Sequence, residues 1–303
     1  MEFLYLLEKI RVPVLNEFML LITQLGEETA FLVAALVVFW CVDKNKGYYL
    51  MGVGFIGTLA NQFMKLWFRI PRPWVLDEKF TILEQAREAA AGYSFPSGHS
   101  QSAVGTFGSI AYTTKNKPMR WISIAIAVLV PFSRMYIGVH TPLDVLVASA
   151  MAVALIVMLK PIFLGNCKRY IPAVLGLMAA MAIGFLCFVE FYSFPVDIDQ
   201  HNMESGLKNA YTLLGALFGL LVVYIVDEKW LNFSTKAVLW MQFVKVAVGI
   251  GLVLIVKGGL KVPLHYLLGD CIGRAVRYFL VVIVAGIVCP VVFNLLNKLT
   301  SKE

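Results

Sequence analysis

Leu143–Leu164 reads LDVLVASAMAVALIVMLKPIFL. Only Asp144 and Lys160 are charged in it, and the apolar run approaches the ~20 residues that cross the hydrocarbon core of a bilayer as a helix. Working outward from this stretch, comparable runs recur at Phe18–Val42 (broken near Gly26), Gly47–Ile70, Ser100–Thr114 and Trp121–Ile137. Beyond it lie Ile171–Phe191, Leu207–Val226, Ala237–Val256 and Val276–Leu296. Composition agrees: 59% of the 303 residues are hydrophobic and 15% charged, the reverse of what a soluble domain needs to cover itself. The expected fold class is all-α, a polytopic transmembrane helical bundle.

Met1–Val12 mixes Glu2, Glu8, Lys9 and Arg11 with Phe3, Leu4, Leu6, Leu7 and Ile10. That pattern predicts an interfacial amphipathic helix ending near Pro13 and not a cleaved signal peptide. The five cysteines lack CxxC spacing and read as small apolar residues, without a disulfide framework. Net charge is +7, yet Lys and Arg are spread over many short loops. No basic face or aromatic stacking module points to nucleic acid, and the charge reports topology and anionic lipid. Loops carrying Lys44 and Lys46, then Lys115, Lys117 and Arg120, then Lys168 and Arg169, are expected in the cytoplasm. The loops at 71–99, 134–144 and 192–206 are expected outside. Pro71–Pro96 contains Asp77, Glu78, Lys79, Glu84, Arg87 and Glu88 around Phe80, Ile82, Leu83 and Ala89–Ala91, which predicts a short surface helix. Asp197, Asp199 and Glu204 form a second, acidic loop. Candidate chemistry thins out after about residue 165. The chain is therefore divided into 1–164, bearing the site and the N-terminal interfacial helix, and 165–303, accessory transmembrane helices.

Three clusters carry that chemistry. Lys65 and Arg72 are seven residues apart and share a helix face for as long as the helix lasts, with Arg69 nearby. Such a pair grips phosphate oxygens, although basic span ends also serve as snorkelling anchors. Pro96-Ser97-Gly98-His99 precedes an apolar span, so a helix starting here would offer the N–H groups of Ser97, Gly98 and His99 to an anion. The plainer alternative is an N-cap made by Ser97 or Ser100. In Ser133-Arg134 and His140-Thr141-Pro142-Leu143-Asp144, Asp144 suits a capping-box acid behind Pro142. It also lies four residues beyond His140, placed to orient an imidazole. Together the clusters hold the parts for displacement at phosphorus: cations, an oriented imidazole nucleophile and a second imidazole to protonate the leaving oxygen.

Lys65-(six residues)-Arg72-Pro73, Pro96-Ser97-Gly98-His99 and Ser133-Arg134-(five residues)-His140-(three residues)-Asp144 resemble the three-part signature of the type-2 phosphatidic acid phosphatase (PAP2) superfamily, in order, spacing and side. The resemblance covers residues 65–144. It implies a PAP2-like core followed by additional C-terminal transmembrane helices. It makes His140 the nucleophile, Asp144 its orienter and His99 the general acid, with Lys65, Arg72, Ser97, Gly98 and Arg134 binding phosphate. It also implies metal-independent hydrolysis with no cofactor, on a lipid phosphate or pyrophosphate such as an isoprenoid carrier lipid, phosphatidate or a sphingoid-base phosphate. A related vanadate-binding branch is mostly soluble, and the spans argue against it. An extracytoplasmic site in a compact chain favours a bacterial plasma-membrane enzyme; the sequence leaves its oligomeric state open.

Two other classes compete with that reading. A lipid transporter or flippase could use the charged residues as a headgroup pathway, but it needs no oriented imidazole. A metal hydrolase could use His99, His140 and Asp144 as a two-histidine, one-carboxylate site. Elsewhere, Lys245 is expected either to pair with Glu190 or Asp270 or to lie at the end of a span shorter than 237–256. Asp270, Arg274 and Arg277 are expected to form a span-end charge network, and His201 and His265 to sit in surface loops. Gly215-(three residues)-Gly219 permits close helix packing.

Overall fold

The computed structural model describes residues 1–87, 90, 92–195 and 199–300, with side chains described to residue 297. Its elements are α1 (Glu2–Lys9), α2 (Pro13–Gln24), α3 (Glu28–Val37), α4 (Lys44–Phe68), α5 (Pro73–Leu76), α6 (Gly98–Ala103), α7 (Ser109–Thr113), α8 (Lys117–Tyr136), α9 (Pro142–Phe163), α10 (Ile171–Phe191), α11 (Gln200–Val226), α12 (Leu239–Gly259), α13 (Lys261–Ile283) and α14 (Cys289–Thr300). π-helical turns at Val38–Val42, Val104–Gly108, Asp227–Leu231 and Val284–Val288 extend or join them, so α6 runs into α7 and α13 into α14 without a loop. The chain is an all-α integral-membrane protein, and no strand occurs among the described residues.

Among the described residues, five helices are long and apolar enough to cross a membrane: Pro142–Phe163, Lys168–Phe191, Gln200–Leu231, Leu239–Gly259 and Lys261–Asn297. Pro13–Gln24 and Glu28–Val42, bent by 53°, make a sixth when counted together as one broken span, and the break falls at Gly26 as expected. The expected spans at 47–70, 100–114 and 121–137 are helices too, but they fall short of that length or apolarity. They carry Asn61 and Lys65, then His99, Ser100 and Gln101, then Ser133 and Arg134. Polar groups of this kind persist at membrane depth mainly where they serve a site. The last span begins well before the expected Val276 and is interrupted at Gly269.

Chain contacts group into two compact units. The first comprises Met1–Ala34, Leu50–Pro161 and Pro195–Gly206; the second comprises Ala35–Tyr49, Ile162–Phe194 and Leu207–Glu303. In the first unit, the Pro71–Pro96 segment is not the expected surface helix. Its described part holds only α5 and a 3-10 turn at Glu84–Ala86, while Glu88, Ala89 and Ala91 lie outside the described residues. Tertiary bonds replace helical ones here. Arg11 Nη1 donates to the Thr81 carbonyl at 2.8 Å, Glu8 accepts from the Thr81 N–H at 3.1 Å, Leu83 N donates to the Ile137 carbonyl at 3.1 Å, and Tyr5 Oη donates to Asp77 at 2.8 Å. Phe80, Ile82 and Ala86 are buried against α1, α2 and the end of α8, so α1 is one wall of this packing. Asp199 proves to be the N-cap of α11, accepting from Asn202 N at 2.9 Å, and Glu204 lies within that helix, with Asp197 outside the described residues.

In the second unit, Gly215 and Gly219 allow the approach expected of them: a Cβ at Gly215 would lie 1.9 Å from the Ala275 carbonyl oxygen, and one at Gly219 3.1 Å from that of Phe279. Buried Asp227 is fully engaged, 3.0 Å from Lys44 Nζ and accepting from Tyr48 Oη and Phe233 N. Lys245 has neither expected carboxylate partner. It is wholly buried and donates to the Thr235 carbonyl at 3.3 Å, while Glu190 accepts from Tyr211 Oη. His201 and His265 lie in α11 and α13, not in loops. Asp270 pairs with His265 at 3.7 Å, leaving Arg274 and Arg277 without the expected carboxylate within ion-pair distance.

Candidate active site

α4 ends at Phe68 because Arg69 takes a left-handed conformation (φ 51°), and Arg69 Nη1 then donates to the Leu66 carbonyl of the helix it terminates. Lys65 and Arg72 therefore do not share one helix face. The turn after Ile70 swings Arg72 back, and Ser94 N donates to the Ile70 carbonyl at 2.8 Å to hold that turn. Lys65 Nζ donates to the Tyr93 carbonyl, and Arg72 Nε donates to that of Gly92 at 3.0 Å. The neighbouring carbonyls of Gly92 and Tyr93 thus hold the two cations.

Arg72 Nη1 donates to the Val139 carbonyl at 2.9 Å and lies 3.0 Å from His140 Nε2. A guanidinium has no acceptor, so Nε2 must present its lone pair and the neutral ring carries its proton on Nδ1. Nδ1 faces Asp144 Oδ2 at 3.5 Å, a separation that closes to a hydrogen bond with a shift of roughly half an ångström. The Asp144 carboxylate is itself fixed, accepting from Ser94 Oγ at 2.6 Å and Thr141 N at 2.7 Å, while Asp144 N donates to Thr141 Oγ1 at 3.3 Å. Capping of α9 and orientation of His140 thus coexist in one residue.

His99 stands in the first turn of α6. Ser97 is the N-cap there: its Oγ accepts from Ser100 N, and its own N–H donates to the Asp144 carbonyl at 3.1 Å. The expectation that Ser97 offers its N–H to an anion is corrected by that bond, since the donor is already engaged and Ser97 is absent from the cavity lining. Gly98 does line it, and a Cβ there would meet nothing closer than Asn61 Oδ1 at 3.8 Å. Arg134, 1% exposed near the end of α8, donates through Nη1 to Thr23 Oγ1 at 2.8 Å. The α2–α3 bend comes close to this point at Gly26, where a Cβ would lie 2.9 Å from the His99 carbonyl oxygen.

Lys65, Arg72, Gly98, His99, Arg134 and His140 line one cavity of about 360 Å³ within the first unit, with Asp144 behind His140. Sequence reasoning missed several residues that complete it. Asn61, one turn before Lys65, and Gln101 and Ser102, just after His99, also line the wall; a polar side chain in an otherwise apolar helix was the available signal. Ser94 and Thr23 gave none, because they act through Asp144 and Arg134 across long sequence separations. Unpartnered buried atoms concentrate here: Asn61 Oδ1, His99 Nε2, Gln101 Nε2, Ser102 Oγ, Arg134 Nε and His140 Nδ1. Each such atom costs roughly 1–3 kcal/mol unless something polar meets it.

Burial, and then the positive charges of Arg72, Arg134 and Lys65, hold the His140 imidazole well below its ordinary range. Burial and the same cations, Arg134 first, act in the same direction on His99. Burial lowers Arg72 to about 10 against the pull of Asp144, so it stays a cation at neutral pH. No three His, Cys, Asp or Glu side chains among the described residues converge as a metal site would need, which disfavours the two-histidine, one-carboxylate arrangement.

Residues 45–167 match the family described as PAP2 superfamily, and residues 211–302 match PAP2 superfamily phosphatase, transmembrane extension. The chain is 31% identical over 146 residues to an undecaprenyl-diphosphatase of Bacillus subtilis, covering 48% of this chain and 72% of that protein. It is 34% identical over 165 residues to phosphatidylglycerophosphatase B of the same organism, covering 50% and 76%. A probable sphingosine-1-phosphate phosphatase of Dictyostelium discoideum is 32% identical over 142 residues, 43% of this chain and 34% of that one. No solved structure matches.

Proposed function

From the premise that this chain belongs to the PAP2 superfamily and is a phosphoric ester hydrolase of that type, we propose that it cleaves a lipid phosphate or pyrophosphate through a phospho-histidine intermediate on His140. The observation that carries this reading is the Arg72–His140–Asp144 chain. It favours the tautomer with its lone pair on Nε2, which Arg72 meets now and would release on turning its guanidinium to a phosphoryl oxygen.

In the first step, Lys65, Arg72 and Arg134 bind the phosphoryl oxygens, and His140 Nε2 attacks phosphorus as the bond to the leaving oxygen breaks. Asp144 balances the positive charge that grows on the ring, and His99 gives its proton to the leaving oxygen. The bound phosphate brings the negative charge that allows His99 to be protonated, against the cations that otherwise keep it neutral. In the second step, His99 takes a proton from water, whose oxygen attacks phosphorus. The P–N bond breaks, and His140 returns with its proton on Nδ1. Gly98 leaves room for the phosphoryl group, while Ser97 acts as the cap that sets the start of α6.

Every residue of this machinery falls before 165, which supports 1–164 as the catalytic part and 165–303 as accessory helices. The names of the relatives, an isoprenoid diphosphatase and two phospho- or sphingolipid phosphatases, support a lipid substrate. Expected placement of the 71–99 and 134–144 loops outside puts the site at the extracytoplasmic face, and the bacterial relatives favour a bacterial plasma membrane. The test is a panel of lipid and soluble phosphates with phosphate release measured in EDTA. Wild-type enzyme quenched in alkaline detergent should hold alkali-stable phosphate that acid then releases, and folded His140→Ala should hold none and release none. Near-normal hydrolysis by that variant would remove His140 as nucleophile, and activity lost in EDTA and restored by one divalent metal would favour metal-assisted hydrolysis.

A further inference from the structure

α13 is continuous in name only. Gly269 has φ 77° and ψ 177°, a backbone conformation open essentially to glycine alone, and the helix axis breaks there. The two arms pack closely, since a Cβ at Gly273 would lie 2.6 Å from the Leu264 carbonyl oxygen. A second cavity of about 420 Å³ occupies the break, lined by Lys261, His265, Asp270, Arg274 and Arg277.

Its charge is unbalanced. Asp270 is engaged with His265, and both are more than half exposed. Arg277 is 8% exposed, and its Nε, like that of Arg274, is buried without a hydrogen-bond partner. A buried guanidinium without an anion is costly. The arm from Asp270 onward also begins a helix here, and cations in its first two turns oppose the helix dipole unless an anion sits among them. Exposed Val262, Tyr266, Leu267 and Ile272 flank the cavity with apolar surface suited to acyl chains.

We propose that this cavity is a phosphate-binding site, separate from the catalytic one, whose phosphate is carried by an anionic membrane lipid or is free in solution. Lys261, Arg274 and Arg277 supply the charge.

Native mass spectrometry of the full chain in detergent, titrated with phosphatidylglycerol, tests it. The wild-type protein and catalytic-cavity variant Arg72→Gln should both bind one lipid that the Arg274→Gln, Arg277→Gln double variant binds roughly ten- to thirtyfold more weakly. The double variant should keep its thermal midpoint and phosphatase activity, and phosphatidylcholine should not replace phosphatidylglycerol. Binding unmoved by inorganic phosphate assigns the site to a lipid headgroup, and displacement by inorganic phosphate alone assigns it to free phosphate. Equal affinity in wild type and folded double variant, or equal binding of phosphatidylcholine, overturns the proposal. Should the double variant not fold, exposed Lys261→Gln decides: roughly fivefold weaker binding supports the site and unchanged binding overturns it.

Discussion

Asp144→Asn isolates the charge behind the proposed nucleophile while keeping its shape. When His140 attacks, its ring becomes cationic with Nδ1 facing Asp144 Oδ2 at 3.5 Å, both side chains being 2% exposed. At an effective dielectric constant of about 20, a unit charge pair at that distance is worth about 5 kcal/mol, or ~10³–10⁴ in rate. The carboxamide can still accept from Thr141 N, so the cap of α9 survives and the thermal midpoint should move little. Meanwhile one negative charge behind His140 is removed and Lys65, Arg72 and Arg134 stay in the cavity lining, so binding of an anionic substrate should not weaken. The expected outcome is a kcat loss of ~10³–10⁴ with KM unchanged or lower, measured as phosphate release from a short-chain lipid phosphate in detergent. A loss below about tenfold would show that Asp144 does not stabilise an imidazolium. A raised KM at unchanged kcat would make it a substrate-positioning group.

Three further outcomes are expected. Because the His140 pKa is lowered, the free ring is protonated only when pH falls through that depressed value, so the acid limb of kcat/KM should lie below the ordinary imidazole pH. Arg72→Gln removes one of the lowering charges and should move that limb to higher pH. Ser94→Ala deletes the 2.6 Å bond to Asp144 and should lower kcat about tenfold with little change in KM, read by the same phosphate assay. Gly215→Ala forces a methyl onto the Ala275 carbonyl, a backbone atom that cannot yield cheaply, and should cost about 1–3 kcal/mol of stability, seen as a lower thermal midpoint.

The helices were legible because hydrophobic run length is a one-dimensional property, and the Gly26 break because glycine interrupts such a run. His140 and Asp144 were legible because they stand four residues apart, and His99 because it closes the Pro96-Ser97-Gly98-His99 run just before a helix. Pro71–Pro96 was misread because its pattern is amphipathic while its backbone is held by Arg11, Glu8 and Ile137, none of which its own sequence can signal. Ser97 was ambiguous for a related reason: cap and anion donor use the same residue types, and the bond to the Asp144 carbonyl decides between them. Lys245 was misassigned because a charge in an apolar run suggests an ion pair, whereas the carbonyl of Thr235 meets the ammonium.

The helices that fall short of membrane length or apolarity, 44–68, 98–113 and 117–136, are the ones that supply Lys65, His99 and Arg134 to the cavity. A hydrolase whose reacting group is a phosphate must place several cations and two imidazoles around one point, and each such group removes an apolar side chain from the helix that bears it. Neighbouring protein has to satisfy them: Thr23 does so for Arg134, and the carbonyls of Gly92, Tyr93 and Val139 for Arg72 and Lys65. The loss of apolarity is thus a consequence of the chemistry. It also explains why Pro71–Pro96 folds back on α1, α2 and α8, since carbonyls free to receive Lys65 and Arg72 come from chain that is not helical.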